Sequence, residues 1–156
     1  MTFLTTRFGE IDVPEEKAIT IPDGVLGFPG RTRFLVLDHF RDVPFKWLQS
    51  LDDPDLAFVV ADPRSIKAEY QPAVRASEVS DLDVTDENDL AVLVVVTVPP
   101  ENPLLMTANL QGPIIVNARN RRGKQLVLAA SDYPDRYPLI PDPAPARQPA
   151  VAGTAS

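Results

Sequence analysis

The feature that most constrains the fold is a pair of apolar runs joined by a short polar segment. Residues 113–116 begin with proline and continue with three β-branched residues, and a second run covers residues 125–129. β-Branched residues suit a pleated, half-buried surface, and proline is tolerated where a strand begins. The polar residues 117–124 between the runs include Gly123, as is typical of a chain reversal. The pattern predicts a β-hairpin. Residues 107–128 contain no Cys, His, Asp or Glu, so a central hairpin here favours function by surface contact over catalysis.

The rest of the chain predicts a mostly β fold. Short apolar or alternating runs are separated by turn signals rich in Pro and Gly, and the nine-residue run 90–98 has the composition of a strand buried on both faces. Many short strands of this kind predict a small antiparallel β-barrel or sandwich-like single domain with one short helix, at residues 77–82. After residue 137 the sequence is rich in Pro and Ala without apolar periodicity. We therefore expect a β domain over residues 1–137 and a disordered tail over residues 138–156.

The composition bounds the function. The formal net charge of −7 makes direct nucleic-acid binding a poor candidate, because Lys and Arg supply most of that affinity. It favours a basic protein partner, with plain solubility as the alternative interpretation. Cysteine is absent, which excludes disulfides and cysteine-based metal sites, and we expect no metal or other cofactor. No secretory signal and no apolar run long enough for a membrane span is visible, so we expect a soluble cytoplasmic protein.

One motif suggests chemistry. Asp81, Asp83 and Thr85 match the D-x-D-x-T pattern of aspartate-based phosphotransferases, in which the first Asp is the nucleophile and the second the acid/base. The polar residues 75–80 upstream do not predict the buried strand that this chemistry requires, and no alternating strand–helix pattern follows. A solvated acidic loop is therefore favoured over this remote alternative, and we expect no enzyme.

Three segments resemble a known family. Residues 19–28 read Ile-Thr-Ile-Pro-Asp-Gly-Val-Leu-Gly-Phe, and residues 44–50 read Pro-Phe-Lys-Trp-Leu-Gln-Ser, followed by Ala57-Phe58 and Asp62-Pro63. Residues 107–117 read Thr-Ala-Asn-Leu-Gln-Gly-Pro-Ile-Ile-Val-Asn, with Gln125 following. Each motif is weak alone, but the three in this order resemble the family of the flagellar assembly factor FliW. Gly112 departs from the pattern, where Ala is usual, and this should loosen the turn slightly.

The resemblance implies a small β-barrel-like protein with two partners. One is flagellin, and the other is CsrA, a basic dimer that binds messenger RNA and represses translation. In this family, binding to CsrA makes it release its RNA by an allosteric effect, and free flagellin competes for the same protein. An alternative is a chaperone for flagellin that does not bind CsrA.

Two groups of residues are candidates for partner binding. Residues in or beside loops of the shared motifs are expected to make direct contacts: Phe28, Gln49, Ser50, Asn109 and Asn117. For each polar residue the alternative is a structural role at a turn or strand end. A second group is expected to steer a basic partner by its charge: Asp81, Asp83, Asp86, Glu87 and Asp89.

Overall fold

The computed structural model describes residues 2–38, 43–72, 74–128 and 133–140. These ranges contain eleven strands. In chain order they are β1 (Thr2–Thr5), β2 (Gly9–Asp12), β3 (Ile19–Thr20), β4 (Arg33–Leu37), β5 (Phe45–Ser50), β6 (Ala57–Ala61), β7 (Leu90–Thr97), β8 (Thr107–Ala108), β9 (Ile114–Asn117), β10 (Arg122–Gln125) and β11 (Tyr137–Pro138).

Seven of these strands form a closed barrel. Each strand pairs with the next in the order β7, β6, β5, β4, β3, β10, β9, and β9 pairs again with β7. Every pairing is antiparallel except the short parallel contact of β10 with β3. Closure removes the free edges of an open sheet. The predicted mostly β fold is confirmed, and it is a barrel.

Strand β7 has two partners along one edge. Its first half, from Leu90 to Leu93, pairs with β9, whereas Val96 and Thr97 pair with β8. β11 then pairs with the outer edge of β8. The sheet therefore forks at the middle of β7, with the barrel on one branch and the short β8–β11 ladder on the other.

The predicted hairpin is present as β9 and β10, but its second strand is shifted. β10 covers Arg122–Gln125, so Gly123 lies within the strand opposite Val116 instead of ending the turn. The turn is made by residues 118–121, and it ends at Arg121, which has a positive φ of 61°. The Arg121 carbonyl accepts a hydrogen bond from Thr20 N at 2.9 Å, which helps to close the barrel between β10 and β3.

The barrel encloses one apolar cluster, and two others pack outside it. Alternation along each strand sends one set of side chains inward. The inner cluster consists of Ile19, Ile21, Val25, Phe34, Leu48, Val60, Ile114 and Val116. One outer cluster includes Tyr70, Val94, Val96, Ala108 and Leu110, and the other includes Val79, Leu82, Ile115 and Leu126. β7 therefore carries buried residues on its outer face, as its apolar sequence predicts.

The helical segments are all short. In the described part of the chain they are 3-10 helices at Glu15–Lys17, Pro63–Ser65, Ala76–Glu78, Ser80–Leu82, Glu87–Asp89 and Pro103–Leu105. The expected helix at residues 77–82 is thus two consecutive 3-10 turns. Among the described residues, no helix has both the length and the apolar composition needed to cross a membrane.

The chain remains attached to the barrel past residue 137. β11 covers Tyr137–Pro138, and Leu139 N donates a hydrogen bond to Met106 O at 3.2 Å. Most of the predicted tail, residues 141–156, lies outside the described residues. The domain boundary after residue 137 stays a prediction.

Candidate binding groove at one end of the barrel

A groove opens at the end of the barrel where the sheet forks. It has a volume of about 520 Å³. Its lining comes from the loop after β3, from β6, β7 and β8, from Gln125 at the end of β10 and from the segment before β11. The lining residues are Val25, Leu26, Phe58, Val95, Thr97, Pro99, Leu105, Thr107, Asn109, Gln125, Asp135 and Arg136.

Gln125 connects two walls of this groove. Its side-chain oxygen accepts a hydrogen bond from Leu26 N at 2.7 Å, and its side-chain nitrogen donates to Gly112 O at 2.9 Å. A side chain with one donor and one acceptor group can bridge two backbones in this way. The bridge fixes the loop after β3 against the turn before β9.

Asn109 shapes the neighbouring turn. Its side-chain oxygen accepts hydrogen bonds from Gln111 N at 3.1 Å and Gly112 N at 2.9 Å, and its backbone N donates to Val95 O at 2.9 Å. This arrangement is an Asx turn, in which the Asn side chain accepts hydrogen bonds from the backbone that follows it. Asn109 is half-buried and also lines the groove, so it combines the structural role and the surface position that the sequence left as alternatives.

Phe28 lies beside the groove and packs on Phe58, whose ring is part of the groove lining. Its ring packs edge-on against Phe58 at 5.5 Å, and Phe58 is in turn 6.4 Å from Phe34 in the barrel core. Gly24 makes this possible, because its φ of +74° turns the chain back and an added Cβ would lie 2.4 Å from Phe28 O. Phe28 therefore covers the barrel end while keeping 37% of its surface exposed.

Exposed leucines lie at the rim of the groove. Leu105 and Leu26, which both line it, are 61% and 57% exposed. Exposed apolar side chains beside a concave site are typical of interaction surfaces. At the same site Asp135 and Arg136 contribute charges that have no ion-pair partner among the described residues.

Gly112 leaves a narrow gap between the two side chains that organise the groove wall. A Cβ at this position would lie 2.8 Å from Asn109 Nδ2 and 3.1 Å from Gln125 Nε2. The family pattern usually has alanine at this position. An alanine here would therefore push the side-chain amides of Asn109 and Gln125 by a few tenths of an ångström. The departure at this position affects the geometry of the groove as well as the turn.

Gln49 and Ser50 lie away from this groove and are fully buried. Gln49 Nε2 donates to Ser50 O at 2.9 Å and Leu56 O at 3.0 Å, and its Oε1 has no hydrogen-bond partner. Ser50 Oγ accepts from Asp52 N at 3.2 Å and Asp53 N at 3.0 Å. Both side chains hold the turn between β5 and β6, so a direct contact with a partner would require that turn to open.

Asn117 is also buried, at the end of β9. Its Nδ2 donates to Leu82 O at 2.9 Å, and its Oδ1 accepts from Arg119 N at 3.0 Å. Asn120 Nδ2 donates to the same carbonyl at 2.8 Å. Asn117 thus anchors the acidic segment to the tip of the β9–β10 hairpin, and its side chain does not reach the surface.

The acidic segment is partly neutralised by that hairpin. Ion pairs join Arg122 to Asp83 at 3.2 Å, Lys124 to Asp81 at 3.4 Å and Arg119 to Asp89 at 3.6 Å. Asp86 and Glu87 form no ion pair within the described residues. Because paired charges project a weaker field, the steering effect expected of the five acids is concentrated on these two.

The geometry does not favour phosphotransfer at Asp81 and Asp83. Asp81 lies in a 3-10 turn, Asp83 has a positive φ of 53°, and their side chains are 55% and 70% exposed. Each carboxylate is paired with a cation instead of facing its neighbour. Within the described ranges, no group of three or more His, Cys, Asp or Glu residues is placed to hold a metal ion.

Most residues of the groove were not predicted from the sequence. Of the residues expected to contact a partner, Asn109 lines the groove and Phe28 lies beside it, and their contact with a partner stays a prediction. Leu26, Phe58 and Gln125 were not among the candidates. Gln125 carried a signal, because it belongs to the third shared motif and is a polar residue at a strand end. Leu26 carried one too, as an apolar residue between two glycines in a loop.

The fold and this site define a class: small closed β-barrels with an open groove at one end. A family model described as FliW protein matches residues 2–139. The chain is 42% identical to the flagellar assembly factor FliW of Geobacter sulfurreducens over 149 residues, covering 96% of this chain and 92% of that protein. It is 39% identical to the FliW of Natranaerobius thermophilus over 142 residues, covering 91% and 94%.

A solved structure agrees with these sequence relatives. The crystal structure of a flagellar assembly factor FliW superimposes with a TM-score of 0.84 at 31% identity, covering 92% of this chain and all of that one. The chain belongs to the FliW family of flagellar assembly factors.

Proposed function

We propose that this protein is a cytoplasmic, non-catalytic flagellar assembly factor that acts by binding flagellin and the RNA-binding repressor CsrA. Binding to CsrA relieves repression of flagellin mRNA, and flagellin is the competing partner. The protein needs no cofactor and does not itself contact nucleic acid. Family membership supports the role in flagellar assembly, and the two named partners are expectations that the family resemblance supplies.

The observation that carries the proposal is the convergence of the family motifs on one groove. The first segment supplies Leu26 and Phe28, the second leads to Phe58, and the third supplies Asn109 and Gln125. These segments lie far apart in the chain, and they come together around an open groove with exposed leucines at its rim. A surface of this kind suits the burial of apolar side chains from another protein.

The charge distribution supports a basic second partner. The chain carries a net charge of −7, and Asp86 and Glu87 of the acidic segment form no ion pair within the described ranges. Negative potential speeds the encounter with a basic protein such as CsrA and disfavours RNA phosphates close by. This steering acts on the association rate more than on the lifetime of the complex.

The proposal is tested by isothermal titration calorimetry with purified flagellin and purified CsrA, each added alone and then in sequence. We expect binding to each protein, and displacement of CsrA when flagellin is added. An RNA-release assay with CsrA bound to a flagellin leader RNA then measures the regulatory effect. Binding of flagellin without CsrA would identify a flagellin chaperone, and binding of neither protein would refute the proposal.

A further inference from the structure

The described residues end beside the groove. Asp135 and Arg136 line it, and the chain then forms β11 and runs antiparallel to β8 toward the exposed Leu105. Leu139 N still bonds to Met106 O, so the path along that edge continues to the last described residue. Residues 141–156 therefore start at the rim of the groove.

The end of the described chain is held by the outer apolar cluster. Tyr137 and Leu139 pack into the outer cluster that contains Tyr70. Because side chains alternate along a strand, Pro138 of β11 lies on the face opposite that cluster. Residues 141–156 are sixteen residues, which reach on the order of 50 Å when fully extended. This length is sufficient for the chain to turn back across the groove.

The segment and the groove each carry charged groups that can form an ion pair with the other. Residues 141–156 contain one acid, Asp142, and one base, Arg147, among Pro, Ala and other uncharged residues. The groove contains one acid, Asp135, and one base, Arg136, and neither is paired within the described ranges. The exposed Leu26 and Leu105 of the rim suit the prolines and Val151 of the same segment.

We propose that residues 141–156 of this chain occupy the groove in the free protein, with Arg147 against Asp135. The covalent link keeps the effective concentration of the segment high, so weak contacts are sufficient. A partner that uses the groove then has to displace the segment. The docking is tested without any partner, so its failure would leave the proposed function untouched.

The absence of cysteine from the native sequence gives a direct test in the full chain. Leu105→Cys at the rim and Ala146→Cys beside Arg147 form a disulfide at a rate that reports how often the two sites meet. A tethered but undocked segment also collides with the rim, so the decisive comparison keeps this pair and changes only the charges. We expect Arg147→Asp to slow disulfide formation at least threefold, and Asp135→Arg added to it to restore the rate.

A second measurement covers the case in which the cysteine pair disturbs the rim. A nitroxide attached at Ala146→Cys alone should broaden the amide resonances of Thr97 and Asn109, and Arg147→Asp should remove the broadening. Equal disulfide rates in all three charge backgrounds, or no broadening, would overturn the proposal. Faster cross-linking between chains than within one chain would assign the groove to a second copy and would also overturn it.

Discussion

The bridge made by Gln125 gives the most demanding test of how the groove is built. Gln125→Leu keeps the approximate size of the side chain but removes both hydrogen bonds, to Leu26 N at 2.7 Å and Gly112 O at 2.9 Å. Each bond contributes a net of about 1 kcal/mol, and water replaces part of it at this half-exposed site, so we expect a loss of about 1–2 kcal/mol. For a domain of this size the loss lowers Tm by about 2–8 °C.

The assay is urea unfolding followed by the fluorescence of Trp47, the only tryptophan of the chain. Gln71→Leu is the matched control, because the Gln71 side chain is exposed and makes no hydrogen bond to the described residues. We expect the control to change stability by less than about 0.5 kcal/mol. The reasoning is refuted if Gln125→Leu is as stable as the control, since the bridge would then contribute nothing to holding the two walls together.

Three further predictions concern other parts of the molecule. Gly24→Ala should lower the free energy of unfolding in urea by at least about 2 kcal/mol, because Gly24 has a φ of +74° and the new Cβ would lie 2.4 Å from a backbone oxygen. Gly30→Ala is the control and should not destabilise the protein, because no atom lies within 4 Å of its new Cβ. Burial raises the pKa of Tyr70 to about 12 from 10.0, so the stability that its neutral hydroxyl contributes is complete below pH 10 and is lost as the pH rises toward 12. The difference in unfolding free energy between wild type and Tyr70→Phe should therefore shrink between pH 10 and pH 12. A constant difference would contradict this. The double variant Asp86→Asn, Glu87→Gln should associate with CsrA about twofold more slowly at low salt, with a weaker salt dependence of the rate. Stopped-flow measurement checks this, and unchanged association rates would disprove it.

Much of the fold follows from local sequence signals. The β-branched run of β9 and the apolar run of β7 predicted buried strands, and turn residues predicted most of the connections. The second strand of the central hairpin was misplaced because Gly123 is normally a turn residue. In the barrel it lies in a strand, where an added Cβ would meet Ile115 O at 3.1 Å, so close packing instead of a turn explains this glycine.

The site was harder to predict, because it depends on which segments meet in three dimensions. Gln49, Ser50 and Asn117 are motif residues with polar side chains, and the sequence alone does not distinguish a buried turn anchor from a surface contact. In the folded barrel all three are buried, and their expected contact with a partner stays a prediction. The ion pairs that weaken the acidic segment likewise join residues some 30 to 43 positions apart, which no local pattern indicates.

The proposed function depends on the groove at the barrel end being the surface that receives a protein partner. The most direct test compares Leu105→Asp, at the groove rim, with Leu4→Asp, an equally exposed leucine (61% and 68%) on the β1–β2 hairpin. Affinities for flagellin and CsrA are measured by calorimetry on both variants. We predict that the rim variant loses at least tenfold in affinity for one of the two proteins while the hairpin variant keeps both within twofold. Wild-type affinity of the rim variant for both proteins would contradict the account.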